Sequence, residues 1–454
     1  MLLLVGVNAK FSHTALAVRS ISAFLRLKGI ENEFTEYNIN DSYESIFYDI
    51  ILKKPDIIGF STYIWNITLI KRLISDLKQA LPDLKIILGG PEAGYDNEKQ
   101  PTNVDKIISG EGEAALYNYL TGEDISVDFC DLPFPYEGLE SNKTIYYEAS
   151  RGCPYRCSYC ISSLERNLKF KNSKTVKNDL QYFFDNNIKK VKFIDRTFNI
   201  NKYTYEIFEY VIKNSKNTCV QFEVKPELFC ERELDLLKQA PAGLIQFEAG
   251  IQSLNPQTLL AINRQGDSAK AFSNLRRLIK NDNIRIHLDL IAGLPYEDKH
   301  SFINGFNRVY SLSPHILQLG FLKVLGGTDI KKQADIHELR WSQNPPYQVI
   351  STKYLSIFDL IELKMTENGL DTFSNKGFFK NSIKFLFEKN QITPYEFFKG
   401  CGEKLQNKPP LSFPKLFGMF HEIYMENGFC EPDEFLKLLI KDYKIKNPNK
   451  PLWN

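Results

Sequence analysis

"RGCPYRCSYC", residues 151–160, places Cys153, Cys157 and Cys160 close together and offers no fourth cysteine nearby. Metal centres built from cysteine ordinarily take four protein ligands, so one position is either filled from elsewhere in the chain or left open. The loop follows a strand-like run, "TIYYEAS", which begins a series. "VKFIDRTF", "CVQFEVKP", "GLIQFEAGI", "IRIHLDLIAG" and "ILQLGFLKVL" come after it, separated by helix-length segments. Six such repeats between residues 144 and 330 predict a parallel barrel, complete or partial, with its active site on loops at the carboxyl ends of the strands.

Upstream, short apolar runs ("LLLVGV", "NEFTEYNI", "DIIGFST", "KIILGGP", "DKIISG") alternate with amphipathic stretches, the pattern of βαβ units in a doubly wound parallel sheet. The strand ends carry small or turn-forming residues: Asn8, Ser61 with Thr62, Gly89-Gly90-Pro91, and Gly110 with Gly112. In open α/β sheets ligands bind outside these ends, although glycines there also serve simply as tight turns. The expected organisation is an α/β Rossmann-like domain over 1–125, a linker over 126–143 where periodicity gives way to acidic, Pro and Gly residues, a (β/α)6 partial barrel over 144–330 and a mainly helical domain over 331–454. "WSQNPPYQ" reads as an irregular entry to the last domain, and Phe378, Phe379, Phe385 and Phe387 read as its core.

Lys plus Arg total 57 against 55 Asp plus Glu, so no net field argues for nucleic acid or an acidic membrane surface. "MLLLVGVNAKFSH" has no basic flank or cleavage pattern and reads as a buried strand, and no window reaches the roughly 18 apolar residues of a membrane span. A cytoplasmic protein without membrane attachment is expected. In a reducing compartment the remaining cysteines, Cys130, Cys219, Cys230, Cys401 and Cys430, show no organised spacing and do not read as disulfides.

A distant histidine would complete a zinc site, but His13, His287, His300, His315, His337 and His421 stand in no ligand-like spacing to the loop. Three thiolates on a [4Fe-4S] cluster instead leave one iron open to an exogenous ligand. The spacing Cys-x-x-x-Cys-x-x-Cys with Tyr159 before the last cysteine resembles the signature of the radical S-adenosylmethionine superfamily. That resemblance implies that the cosubstrate's amino and carboxylate groups fill the open site. It extends over roughly residues 144–330, where "FEAGIQSLNPQTLLAINR", "HLDLIAGLPYED" and "VLGGTDI" are similar to strands four to six of the subgroup shared with tRNA methylthiotransferases and coproporphyrinogen-type enzymes. Carried over residue by residue, it implies cofactor contacts from Tyr159, Glu248, Gln252, Arg264 and Ile291, with Ser253 also on the cleft side. Glu223 and Lys225 alternate on one strand face, and Glu223 is the expected contact to ribose or carboxylate. "FIDRTFN" departs from some relatives in having Arg196 where a second carboxylate would follow Asp195, and neither is assigned to catalysis.

The N-terminal domain, with "ILGGPEA" and "DKIISGEGEAAL" in order, resembles the cobalamin-binding arrangement of B12-dependent radical enzymes. That implies a cobalamin site drawing on Asn8, Ser61, Thr62, Tyr63, Trp65, Gly89, Gly90, Pro91, Glu92, Gly110, Glu111 and Gly112. The Asp-x-His-x-x-Gly motif that supplies a histidine to cobalt is absent, so no axial histidine is expected unless His13 folds over the site. Tyr63 and Trp65 are candidate caps for the cobalt face, or packing residues. The order of domains resembles an uncharacterised branch of B12-binding radical enzymes with a helical C-terminal extension. The expected reaction is cleavage of S-adenosylmethionine to a 5'-deoxyadenosyl radical and methylation of an unactivated carbon through methylcobalamin. Radical cyclisation or rearrangement without methyl transfer, and a non-catalytic sensor, are the alternatives. A small-molecule or peptide substrate and a flavodoxin or ferredoxin as electron donor are the expected partners.

Overall fold

The computed structural model describes residues 1–95, 103–138, 142–264 and 266–448, so residues 139–141 of the expected linker and 449–454 at the C-terminus lie outside the described residues. β1 (Leu2–Asn8) is buried at every position, as an apolar run covered on both faces must be. It is an interior strand of a five-stranded all-parallel sheet in the order β2-β1-β3-β4-β5, with β2 Asn32–Asn38, β3 Ile57–Ser61, β4 Lys85–Gly89 and β5 Lys106–Ile107. Helices Tyr43–Leu52 and Ile67–Ala80 pack on one face around Ile46, Ile50, Ile70 and Leu73. Helices Leu16–Leu27 and Gly112–Thr121 cover the other around Val18, Leu25 and Leu116.

The second sheet is also parallel and runs in chain order around an open arc: β6 (Thr144–Tyr147), β9 (Lys190–Phe193), β10 (Cys219–Glu223), β11 (Ile245–Gln252), β12 (Arg285–Ala292) and β13 (Ile316–Phe321). Among the described residues its two edges do not pair, so it is an incomplete barrel, one of the two forms that six repeats predict. β7 (Ser150–Arg151) and β8 (Lys169–Phe170) form a short antiparallel pair around the cysteine loop. Residues alternate along the barrel strands. Val220 and Phe222 are fully buried under the helices, whereas Gln221 and Glu223 meet polar partners from neighbouring strands. The lumen is charged: Lys192 pairs with Glu248 at 3.0 Å and with Glu223 at 3.6 Å, and His287 with Asp289 at 3.1 Å.

Past the barrel, β14 (Arg340–Trp341) and β15 (Val349–Ser351) make a hairpin, and the irregular entry expected from "WSQNPPYQ" is the connection between them. It lies across the ends of β12 and β13, with the Val349 amide on Leu322 O (2.8 Å) and Val349 against Gly293. Five helices follow from Ile357 to Lys446. Their core is continuous with that of the barrel, Phe373, Phe420 and Tyr443 belonging to the same buried cluster as Phe222 and Leu288. Phe379 and Phe385 are buried in it, and Phe378 and Phe387 pack against it. The stretch expected as a linker is pinned rather than loose: Phe129 and Tyr136 are buried, and the Tyr136 hydroxyl donates to Tyr146 O. Phe134 packs beside them on Tyr182 and Phe183 of the helix Ser173–Asp185, so the aromatic residues of the stretch outweigh its polar composition.

Candidate functional site

The cysteine loop leaves β7 through Gly152, whose φ of +85° and lack of side chain are both required: a Cβ would lie 2.3 Å from Asn167 O. Backbone bonds then tie the loop on three sides, from the Cys153 amide to Glu165 O (3.0 Å), from the Ser158 amide to Ile262 O (2.9 Å) and from the Ile330 amide to Ser158 O (2.9 Å). All three thiols are free; Cys153 and Cys157 are buried and Cys160 is half-buried. Burial pushes the Cys153 thiol up, and the neighbouring Cys160 and Cys157 add to the shift. Arg264 approaches Cys157, its guanidinium 3.9 Å from Sγ, and also donates to Gly250 O. Among the described residues no three His, Cys, Asp or Glu side chains are gathered tightly enough to hold a single metal ion. A zinc tetrahedron with Zn–S of about 2.3 Å would need that convergence. A multi-iron cluster, with each thiolate on its own iron, spreads its ligands more widely, so the donor set fits the cluster better than a lone ion.

Asp195, at the end of β9, is buried and anchors the entry to this loop, accepting from the Ala149 amide and the Ser150 hydroxyl. Burial raises its pKa to about 7. Arg196, next to it, faces a cavity of about 320 Å³ between the two sheets. Gly152, Ile161 and Ser162 of the cysteine loop line one side of that cavity. Ser61, Tyr63, Gly89, Gly90, Pro91, Gly110, Glu111 and Gly112 line the other, so eight of the twelve residues expected at the cobalamin site meet there. The cavity continues into an apolar slot between Leu4, Gly59 and Ile87 of the sheet and Val18, Ile21 and Leu116 of the covering helices.

Asn8, Thr62, Trp65 and Glu92 do not line it. Asn8 donates to His13 O (3.1 Å), and the Thr62 hydroxyl donates to Gly89 O (2.8 Å). Trp65 stacks on the outer face of Tyr63, with ring centroids 4.4 Å apart, and donates Nε1–H to Val7 O. It is therefore a support for Tyr63, which alone of the two reaches the cavity. Glu92 accepts from the Tyr347 hydroxyl of the C-terminal hairpin (2.8 Å). Among the described residues no histidine lines the cavity, and His13 instead meets Tyr146 at 3.0 Å.

The residues expected around the cosubstrate divide in the same way. Arg264 reaches the cysteine loop, and Tyr159 is held between that loop and the core, burial raising its phenol pKa. Gln252 has φ +70° and a buried Oε1 without a hydrogen-bond partner among the described residues, an orphaned polar atom of the kind a ligand satisfies. Ile291 is half-buried near the end of β12. Glu223 and Glu248 sit deeper, engaged with Lys192. Ser253 lines a small cavity with Gly250 and Arg264, and its buried hydroxyl donates to Glu297, latching the loops after β11 and β12. Lys225 is also buried, its ammonium over the Tyr155 ring and 3.0 Å from Glu227.

Sequence reading missed the pair that joins the two halves. Glu113, in the first turn of helix Gly112–Thr121, is buried and accepts two bonds from Arg151 (2.7 and 3.1 Å) as well as one from Ser20. Burial raises the Glu113 carboxyl, but Arg151 more than reverses this and leaves it lowered. Arg151 also donates to Glu148 (3.0 Å), and Lys169 adds a second cross-sheet pair to Glu111 (2.8 Å). Arg151 immediately precedes Gly152 and Cys153, so the N-terminal domain grips the cysteine loop at its root. The only sequence signal was an arginine beside the motif.

Three family models match consecutive stretches: the B12 binding domain over residues 2–120, the radical SAM superfamily over 147–308 and a protein of unknown function, DUF4080, over 335–453. The chain thus joins a B12-binding domain to a radical SAM domain. Among curated relatives it is 24% identical over 324 residues to the cobalamin-dependent radical SAM methyltransferase TokK of Streptomyces tokunonensis, covering 59% of this chain and 47% of that protein. It is 21% identical over 311 residues to the 2-(S-pantetheinyl)-carbapenam-3-carboxylate methyltransferase of Streptantibioticus cattleyicolor, covering 58% and 46%. The chain therefore spans about half the length of these relatives. Its fold is that of the cobalamin-dependent S-adenosylmethionine radical enzyme OxsB, with a TM-score of 0.65 and 14% identity over 98% of this chain and 79% of that one.

Proposed function

We propose that the chain is a cobalamin-dependent radical S-adenosylmethionine methyltransferase acting on an unactivated carbon of a small molecule. The observation that carries this reading is the shared cavity. One wall is the loop of Cys153, Cys157 and Cys160, and the other is the glycine-rich rim of the B12-binding sheet. A [4Fe-4S] cluster bound by the three cysteines would supply the electron that cleaves S-adenosylmethionine to a 5'-deoxyadenosyl radical, and cobalamin would supply the methyl group. Gly89, Gly90 and Gly110 would let the backbone approach the corrin, and the apolar slot between Leu4, Ile87, Val18 and Leu116 would take its displaced base. With no histidine on the cavity among the described residues, the protein would leave cobalt without an imidazole ligand, and Tyr63 would be the aromatic beside it. Arg264 and Gln252 would hold the cosubstrate's carboxylate and amino groups. The two methyltransferase relatives favour methylation over radical rearrangement. Among the described residues no helix is long and apolar enough to cross a membrane, and nothing on the cavity suggests a nucleic-acid groove. A reduced flavodoxin or ferredoxin would deliver the electron.

Anaerobically reconstituted protein should carry one cluster per chain, lost in Cys153→Ala, Cys157→Ala and Cys160→Ala but kept in Cys401→Ala. It should form both S-adenosylhomocysteine and 5'-deoxyadenosine with extract, and move deuterated methyl from labelled S-adenosylmethionine into a new compound. Accumulation of 5'-deoxyadenosine alone, with cobalamin never methylated, would replace methylation with rearrangement.

A further inference from the structure

Arg196 is a cation whose guanidinium has no partner among the described residues. It lines the cavity between the cysteine loop and the B12-binding sheet, yet makes no side-chain hydrogen bond and no ion pair there. The other arginine on that cavity, Arg151, is consumed by Glu113 and Glu148. The carboxylates acting on Arg196 from a distance are Glu223 and Glu148. Each has a nearer cation: Glu223 lies 3.6 Å from Lys192, and Glu148 3.0 Å from Arg151. What remains at the end of β9 is a guanidinium without a hydrogen bond or contact ion pair among the described residues, kept charged by Glu223, Cys160, Glu148 and Tyr63 acting from further away.

Arg196 is exposed where it opens into the cavity, and a guanidinium with no hydrogen-bond partner there presents a planar fork that an oxyanion matches. The proposed cosubstrate has a single carboxylate, and Arg264 already stands beside Cys157 to receive it. Resting on the function proposed above, we propose that Arg196 is the substrate-anchoring residue, and that the substrate presents a carboxylate or phosphate to it. Held by that anion between Tyr63 and the cysteine loop, the substrate carbon would face both cofactors at once.

The test is calorimetric titration of the reconstituted protein, without turnover, using succinate and methyl phosphate as probes at constant ionic strength. At least one should bind at a single site per chain, and its affinity should fall at least about tenfold in Arg196→Gln, the loss of a charge-assisted pair, with part restored in Arg196→Lys. The tighter probe tells carboxylate from phosphate. Binding should survive saturation with S-adenosylmethionine. Failure of both probes to bind, equal binding by Arg196→Gln, or displacement by S-adenosylmethionine would each overturn the proposal, the last by assigning Arg196 to the cosubstrate. Because the readout is binding, it stands apart from the function: probe binding intact with no methyl transfer sinks only the function, and methyl transfer with no Arg196-dependent binding sinks only the anchor. Since the Arg196 side chain makes no hydrogen bond or ion pair among the described residues, both variants should keep the wild-type melting temperature.

Discussion

Glu297 shows how a side chain outside the chemistry can set the working range of the site. It is 1% exposed, one carboxyl oxygen accepts from Ser253 and the other has no partner among the described residues, and burial raises its pKa to about 7 from an ordinary 4.5. Below the lower value the carboxyl is neutral in both folded and unfolded chains. As pH rises the unfolded chain loses its proton first, so the folded state forfeits stability progressively between about 4.5 and 7. The shift corresponds to about 3 kcal/mol. Glu297→Gln removes this group's titration. Its urea midpoint, compared with that of the wild type, should therefore improve steadily from pH 5 to pH 8. Parallel pH profiles for the two proteins would show that Glu297 ionises freely. The latch joins loops whose roots carry Gln252 and Ile291, so the same variant should leave iron content unchanged while perturbing cosubstrate affinity.

Among the elements, the cysteine loop is the one whose shape has least freedom. Gly152 combines a left-handed φ with backbone pressed against it, so Gly152→Ala meets both a conformational cost of about 1–2 kcal/mol and a clash with Asn167 O that only movement of the loop relieves. Gly122 has a similar φ of +77° at the end of helix Gly112–Thr121, with nothing within 4 Å of where a methyl group would sit. Gly122→Ala should lower the melting temperature slightly and leave iron loading intact. Gly152→Ala should lose most of its iron per chain. Equal iron in the two variants would mean that the loop tolerates displacement.

Across the whole molecule, the relative placement of the two cofactor regions depends on a buried ion pair. Arg151 and Glu113 are 15% and 4% exposed, so Arg151→Gln leaves an uncompensated carboxylate at a domain junction, a loss of about 3–5 kcal/mol. Lys169 and Glu111, 35% and 33% exposed, form a screened pair, and Lys169→Gln should cost less than about 1 kcal/mol. Arg151→Met combined with Glu113→Leu should recover most of the stability lost by Arg151→Gln, because the buried Glu113 charge is then gone and only Glu148, 23% exposed, loses its partner. Thermal melts of the variants check this order, and a double variant no more stable than the single one would contradict it.

Local pattern was enough for the two parallel sheets, because a strand covered on both faces must be a short apolar run and one facing a polar lumen must alternate. It was also enough for the cysteine triplet and for the small residues that rim the B12-binding sheet, since a close backbone approach demands glycine whatever surrounds it. The far partners belong to the tertiary structure alone. Nothing near Arg151 announces Glu113, nothing in "FIDRTFN" says that Asp195 turns inward while Arg196 opens to the cavity, and the polar stretch before β6 conceals a fully buried Tyr136. Trp65 likewise looked as suited to the site as Tyr63, and only the stacked packing puts it behind. Each of these outcomes depends on which non-local groups meet a side chain, and periodicity, which describes neighbours along the chain, carries no information about that.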